Sequence, residues 1–276
     1  PTPSPDAEPT PSGIPKKLWF KLGPAGLNDN TRKWTSSCIQ SNPDYRVEFM
    51  TEASGDAFVI QTFSSTRPEI VATYLRLTVP ILKADWLRYM LLYDQGGIWF
   101  DLDVECHVPI DEWIPSEHKN ASVVVGLEFD VSPRFKEPFP RQFNSWTVMA
   151  KPRSPHLLQV IHDIQDSIAT VTQQKNVKVQ DLTKEMVGDV VLFTGPRRLK
   201  DGIYKSLGRV LNTTIQDSHI WKATRPKMLG DVLVMPGQSF AASMNNYAPE
   251  LQQELPPKLV THHYAGSWKN DKGGET

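Results

Sequence analysis

Stretches with a two-residue apolar period and stretches with a three-to-four-residue period follow one another along most of the chain. The first pattern marks a half-buried strand and the second an amphipathic helix. Read this way, residues 14–20 predict an opening strand and 30–40 a helix with Trp34 and Cys38 one turn apart on one face. A strand follows over 45–50, then helices over 52–63 and 68–77, the latter opening on Pro68. After residues 81–105 come strands over 123–129 and 143–150. A long helix is expected over 154–171, with Leu158, Ile161, Ile164 and Ile168 on one face and His156 and His162 exposed. Further helices are expected over 181–193 and 197–211, the latter a basic amphipathic helix with a solvated face, and last strands over 231–235 and 258–264. Residues 1–13 (PTPSPDAEPTPSG) have no periodicity and read as a proline-stiffened, disordered stem. Strand–helix alternation over 14–276 predicts one α/β domain, a mainly parallel sheet flanked by helices.

The densest pattern is Ile81–Glu105, ILKADWLRYMLLYDQGGIWFDLDVE. Leu87, Met90 and Leu91 fall on one helical stripe, and Asp85, Arg88 and Tyr89 on another. Gly96-Gly97 stops the helix and permits a sharp turn. Ile98–Phe100 then forms a short apolar strand that delivers Asp101-Leu102-Asp103 at its end. Carboxylates at i and i+2 of an extended segment point to one side. They repel there, so removing one should relieve strain in the metal-free chain. A hard divalent cation neutralises such a pair and prefers oxygen ligands. In a nucleotide-sugar transferase it would also hold the diphosphate and stabilise charge as the sugar leaves.

Composition narrows the classes. The 276 residues are 39% hydrophobic and 22% charged, with a formal net charge of −1. This is ordinary globular composition. The near-neutral balance, without a basic patch, disfavours a nucleic-acid partner. No apolar run approaches the ~18 residues that span a bilayer. Without an initiator Met or a signal peptide, the chain looks trimmed at its N-terminus. Cys38 and Cys106 are too few for a disulfide scaffold and are either one bridge or two buried thiols. Asn120-Ala-Ser122 and Asn212-Thr-Thr214 are N-glycosylation sequons.

The Asp-x-x-Arg-Tyr helix, the Gly-Gly turn and the Asp-x-Asp strand end, in that order, resemble glycosyltransferase family 32, in particular its fungal mannosyltransferases. The likeness runs from about Ile14 to Trp268. It implies a GT-A type nucleotide-sugar-binding fold and retaining, metal-dependent transfer of mannose from GDP-mannose to a mannose of an N-glycan core, with an α-1,6 linkage. Alternatives are another donor or acceptor, such as UDP-galactose or a sphingolipid, or a non-catalytic subunit of a mannosyltransferase complex. The resemblance also implies a Golgi-lumenal domain hung from an N-terminal membrane anchor and assembly with other mannosyltransferases.

Roles follow from the same likeness. Asp101, Asp103, Asp85 and Arg88 would form the catalytic group. Asp85, Arg88, Tyr89, Asp101, Gly97, Leu18, Ser267 and Trp268 would bind the donor. Lys21-Leu22-Gly23-Pro24, beyond the first strand, would touch its base or ribose. Glu128, Asn144, Trp146, Thr194 and Gly195 would meet the acceptor, and Asp130 lies at the same strand edge as Glu128. Adjacent histidines on a strand point to opposite sides, so one of His262 and His263 faces the cleft. The family's His-x-x-x-Gly-Ser-Trp spacing selects His262 as the third ligand of Mn2+ (or Mg2+), with His263 as runner-up.

Overall fold

The computed structural model describes residues 13–266 apart from 133, 135, 137, 138 and 140. The stem expected over 1–13 therefore lies almost wholly outside the described residues, as do Ser267 and Trp268. The first half of the chain forms β1 (Lys17–Lys21), α1 (Asp29–Gln40), β2 (Arg46–Met50), α2 (Glu52–Phe63), α3 (Pro68–Arg76), α4 (Pro80–Gln95), β3 (Gly97–Phe100), β4 (Val104–Cys106) and β5 (Val123–Phe129). The second half forms β6 (Gln142–Phe143), β7 (Thr147–Ala150), α5 (Pro155–Lys175), α6 (Lys184–Val187), α7 (Val190–Phe193), α8 (Pro196–Leu211), β8 (Lys227–Leu229), β9 (Val232–Met235), α9 (Gly237–Ala241) and β10 (Val260–His262).

The main sheet runs β2-β1-β3-β7-β5-β9-β8, with β6 added on β5. Strands β1, β2, β3, β5 and β9 share one direction, while β6, β7 and β8 run against it. The sheet is thus the expected α/β layer, made mixed where β7 inserts between β3 and β5. Period-two alternation sends side chains to two cores. Trp19, Trp99, Val123, Val125, Val232 and Val234 meet the larger helices on one face. Leu18, Phe20, Ile98, Phe100, Val124 and Leu233 meet Cys38 of α1 and Phe240 of α9 on the other.

Helix α4 is buried all round, not on one stripe: Leu82, Lys83 and every residue from Asp85 to Leu92 are covered. Its turn into β3 needs glycine. Gly96 and Gly97 have φ of +65° and +98°, and a Cβ on Gly97 would lie 2.7 Å from the Lys17 carbonyl oxygen.

Two expected elements are broken. The strand over 143–150 divides into β6 and β7, because Asn144 uses its side chain to bond the Gly126 N–H and the Thr147 carbonyl. The helix over 181–193 becomes α6 and α7, separated by Gly188 at φ +74°. His156, expected at the surface, is fully buried. It bonds Ser206 of α8 at 2.9 Å and Asp231 at 2.8 Å, because α5 packs along α8. His162 is partly covered and contacts Arg67.

A second, two-stranded sheet pairs β4 with β10 antiparallel, His262 opposite Val104. It carries the C-terminal histidines to the Asp-x-Asp segment. Cys38 and Cys106 form a disulfide that ties β4 to α1 across 68 residues of sequence. By loop-closure entropy such a bridge stabilises the fold by about 4 kcal/mol. Among the described residues, no helix is long and apolar enough to cross a membrane.

Candidate active site

The carboxyl ends of β1, β2 and β3 open into a cavity of about 560 Å³. This is the size range of small-molecule sites. One end is built by the Asp-x-Asp segment. Asp101, Asp103 and His262 each offer one donor atom, and the three atoms lie within 4.8 Å of one another. Strand pairing brings them together: β10 runs beside β4, and the His263 N–H bonds the Asp103 carbonyl at 2.9 Å.

Alternation then separates the two histidines. His262 Nε2 lies 3.2 Å from Asp103 Oδ1, its ring stacked on Trp146 at 4.1 Å. His263 turns the other way, to Glu105 at 2.9 Å and onto Trp34. His263 is thereby excluded as a ligand of this group. Separations of this kind, 3.2 Å for the His262–Asp103 pair and up to 4.8 Å within the group, suit positions around one ion with metal–ligand bonds of about 2.0–2.2 Å. Two carboxylates and one imidazole are a donor set for a divalent metal ion. The buried His262 Nδ1 has no hydrogen-bond partner among the described residues.

Asp101 and Asp103 do not simply repel. Asp101 Oδ1 accepts from Trp99 Nε1 at 2.7 Å and from Arg88 Nη2 at 3.1 Å. Asp103 accepts from the Ala265 N–H at 2.9 Å. Burial works to raise the Asp103 pKa, but the His262 hydrogen bond and charge, with the Ala265 N–H, outweigh it and leave it lowered.

Arg88 and Asp85 stand one turn apart on α4, paired at 3.0 Å and both almost wholly buried. Burial raises the Asp85 pKa; Arg88 and the Thr194 hydroxyl, at 2.8 Å, partly counter it. Burial also disfavours the Arg88 charge, yet Asp101 and Asp85 hold it firmly protonated. Its Nε has no hydrogen-bond acceptor among the described residues, and Nη1 faces Asp85 Oδ1 at 3.0 Å as an ion pair without a well-directed hydrogen bond. A buried guanidinium with spare N–H donors is suited to a carboxylate, phosphate or sugar oxygen.

Across the cavity, Glu128 is buried and its pKa is pushed up to about 7, chiefly by that burial, against the Gln142 hydrogen bond. A carboxyl poised there can donate to, or accept a proton from, a sugar hydroxyl near neutral pH. Trp146, Gly195 and Glu128 all line the cavity, and so do Lys21, Leu22, Gly23 and Pro24.

Several expected contacts do not form. Leu18 is in the core beneath the sheet, and Gly97 is at the wrong end of β3, four residues or about 13 Å from Asp101. Tyr89 is fully buried and donates to the Thr194 carbonyl, so it supports the cavity wall from behind. Asn144 is spent on bracing the β6–β7 break, and Thr194 acts by holding Asp85. Asp130 is buried too, accepting from the Lys222 and Ala223 N–H groups and the Tyr247 hydroxyl. Conversely, Glu52, Lys83, Gln142 and Tyr264 line the cavity without having been singled out. Their only sequence signal is a position beyond a strand end or along the exposed-looking side of α4.

Comparison with known proteins agrees with this geometry. Residues 28–119 match the family described as a glycosyltransferase sugar-binding region containing a DXD motif. The chain is 30% identical, over 94% of its length and 73% of the relative's, to the initiation-specific α-1,6-mannosyltransferase of Candida albicans. It is 29% identical to the enzyme of that name from Schizosaccharomyces pombe, over 94% of this chain and 64% of that one. A solved structure, the PaToxG glycosyltransferase, overlays with a TM-score of 0.48 at 16% identity, covering 73% of this chain and 74% of that one. The chain therefore belongs to glycosyltransferase family 32, the family of the initiation-specific α-1,6-mannosyltransferases, and is a glycosyltransferase with an α/β fold.

Proposed function

We propose that the protein is a retaining mannosyltransferase that moves mannose from GDP-mannose to a mannose of an N-glycan core, forming an α-1,6 linkage. The observation that carries the reading is the Asp101–Asp103–His262 group beside the buried Asp85–Arg88 pair in one cavity. The mannosyltransferase names of the relatives supply the sugar. Asp103 and His262 would hold Mn2+, or Mg2+, with Asp101 contributing its second oxygen or binding the ribose. The ion would neutralise the diphosphate and stabilise the charge it gains on leaving.

The chain's own side chains do the rest. The spare donors of Arg88 grip a phosphate or donor-sugar oxygen, and Asp85, fixed by Thr194, accepts from the donor sugar's hydroxyls. Trp146, its face covered by His262, can offer a sugar only the edge that lines the cavity, and Glu128 meets an acceptor hydroxyl. Same-face transfer, with the departing diphosphate assisting removal of the acceptor proton, is the chemistry of the reading. The Cys38–Cys106 bridge suits an oxidising lumen, in keeping with a Golgi address.

The donor base is tested by thermal unfolding. Ligands that bind only the folded state raise Tm by an amount that grows with the logarithm of the ratio of ligand concentration to Kd. GDP with manganese is expected to raise Tm more than UDP with manganese does. Equal or reversed shifts would replace this reading with that of a UDP-sugar enzyme.

A further inference from the structure

The cavity has a second polar end, distinct from the metal-ligating group. Along α4, Lys83 lies five residues before Arg88, which places it about 7.5 Å further along the helix axis. Its ammonium sits between Glu52 Oε1 at 3.2 Å and Asp56 Oδ1 at 2.9 Å, over the Tyr74 ring. The Lys83 side chain is 10% exposed and that of Glu52 is 70% exposed, so the carboxylate projects while the lysine is fixed. Both line the cavity, as does Lys21, whose ammonium bonds only the Leu22 carbonyl among the described residues. Leu22, Pro80 and Ile81 add apolar wall.

A projecting carboxylate beside a fixed ammonium has a defined complement. The carboxylate accepts from two adjacent N–H donors, and the ammonium donates to a carbonyl oxygen or ring nitrogen. The Watson–Crick edge of guanine offers N1–H and the 2-amino group side by side, followed by O6. Uracil has a single N–H flanked by carbonyls, and one of those oxygens would face the carboxylate unpaired. The spacing along α4 suits a base carried beyond a ribose from a diphosphate at the Asp101 end.

We infer that Glu52 and Lys83 form the base-reading end of the donor site, selecting guanine through the Glu52 carboxylate on N1–H and the 2-amino group and through the Lys83 ammonium on O6. This rests on the GDP-mannose reading above and adds to it the residues that choose the base.

Inosine diphosphate isolates the Glu52 contact, because it keeps N1–H, O6 and N7 and lacks only the 2-amino group. The experiment is calorimetric titration of the purified chain with GDP, IDP and UDP, each with manganese, for the wild type and Glu52→Gln. The wild type is expected to bind GDP about tenfold more tightly than IDP, as for one hydrogen bond to a charged group. Glu52→Gln should bring the two within about twofold by weakening GDP, since the amide presents an N–H donor against one of the base's own donors. A Tm close to the wild type's shows that the exposed substitution leaves the fold intact.

A wild type that does not distinguish GDP from IDP overturns the inference, as does a Glu52→Gln variant that keeps the tenfold preference. In both cases tight GDP binding leaves the donor reading standing. A wild type that binds UDP more tightly than GDP defeats the donor reading itself, and the inference with it.

Discussion

Asp103→Ala is expected to abolish sugar transfer, by about a thousandfold or more, while the chain still folds. The carboxylate is one of the three converging donors, and loss of an ion that stabilises a leaving diphosphate removes several kcal/mol from the transition state. Crowding of Asp101 and Asp103 in sequence suggests that the substitution would relieve repulsion. The geometry reverses that sign. Asp103 receives the Ala265 N–H and lies beside His262, while Arg88 and Trp99 occupy Asp101. Because the folded Asp103 pKa is lowered, its contribution to stability is present above the unfolded carboxylate value near 4 and is lost as pH falls through the folded value. Asp103→Ala should therefore cost about 1–3 kcal/mol at neutral pH, fading in acid. Asp103→Asn keeps an acceptor for the Ala265 N–H and should be equally inactive with a smaller loss of Tm. Retained activity in Asp103→Asn would remove the residue from the metal site. An Asp103→Asn chain that fails to fold would make its role structural.

The second large effect separates two adjacent histidines. His262→Ala should weaken manganese binding by about tenfold or more, whereas His263→Ala should leave it unchanged. Only His262 turns towards Asp103; His263 is engaged by Glu105 and Trp34. Protons compete with a metal for an imidazole, so manganese affinity of the wild type should fall on acidification. His262→Ala should blunt that dependence and His263→Ala should preserve it. The dissociation constant for manganese, measured for both variants at two pH values, reads this directly. Loss in His263→Ala instead would mean that β10 presents the opposite face to the cavity.

Much of this was legible in sequence where local chemistry decides local structure. The α4–β3 unit follows from apolar spacing and from two glycines that alone tolerate the turn's positive φ and close backbone approach. The direction of His262 follows from strand alternation once the strand is placed. What sequence hid depends on partners far along the chain. The β4–β10 pairing joins the expected last strand to a three-residue strand too short to show a period, more than 150 residues away. His156 is buried because Ser206 and Asp231 meet it, 50 and 75 positions away. Asn144 looks like a strand residue until its amide replaces backbone partners. Leu18 and Gly97 carry the right residue types near the right motifs, yet one faces the core and the other is at the far end of its strand. Helix α4 shows the same limit: its apolar spacing reads as one buried stripe, yet the helix is covered all round, with Asp85 and Arg88 buried at the cavity wall.

The most direct test of the account is donor turnover by the purified chain. A panel of nucleotide sugars, each with manganese and an oligomannose acceptor, is offered and the consumed donor is recorded. Consumption of GDP-mannose with a mannosylated product is expected, silenced by a chelator and restored by added manganese. Consumption of a UDP-sugar in its place, turnover that survives chelation, or no turnover of any donor would contradict it.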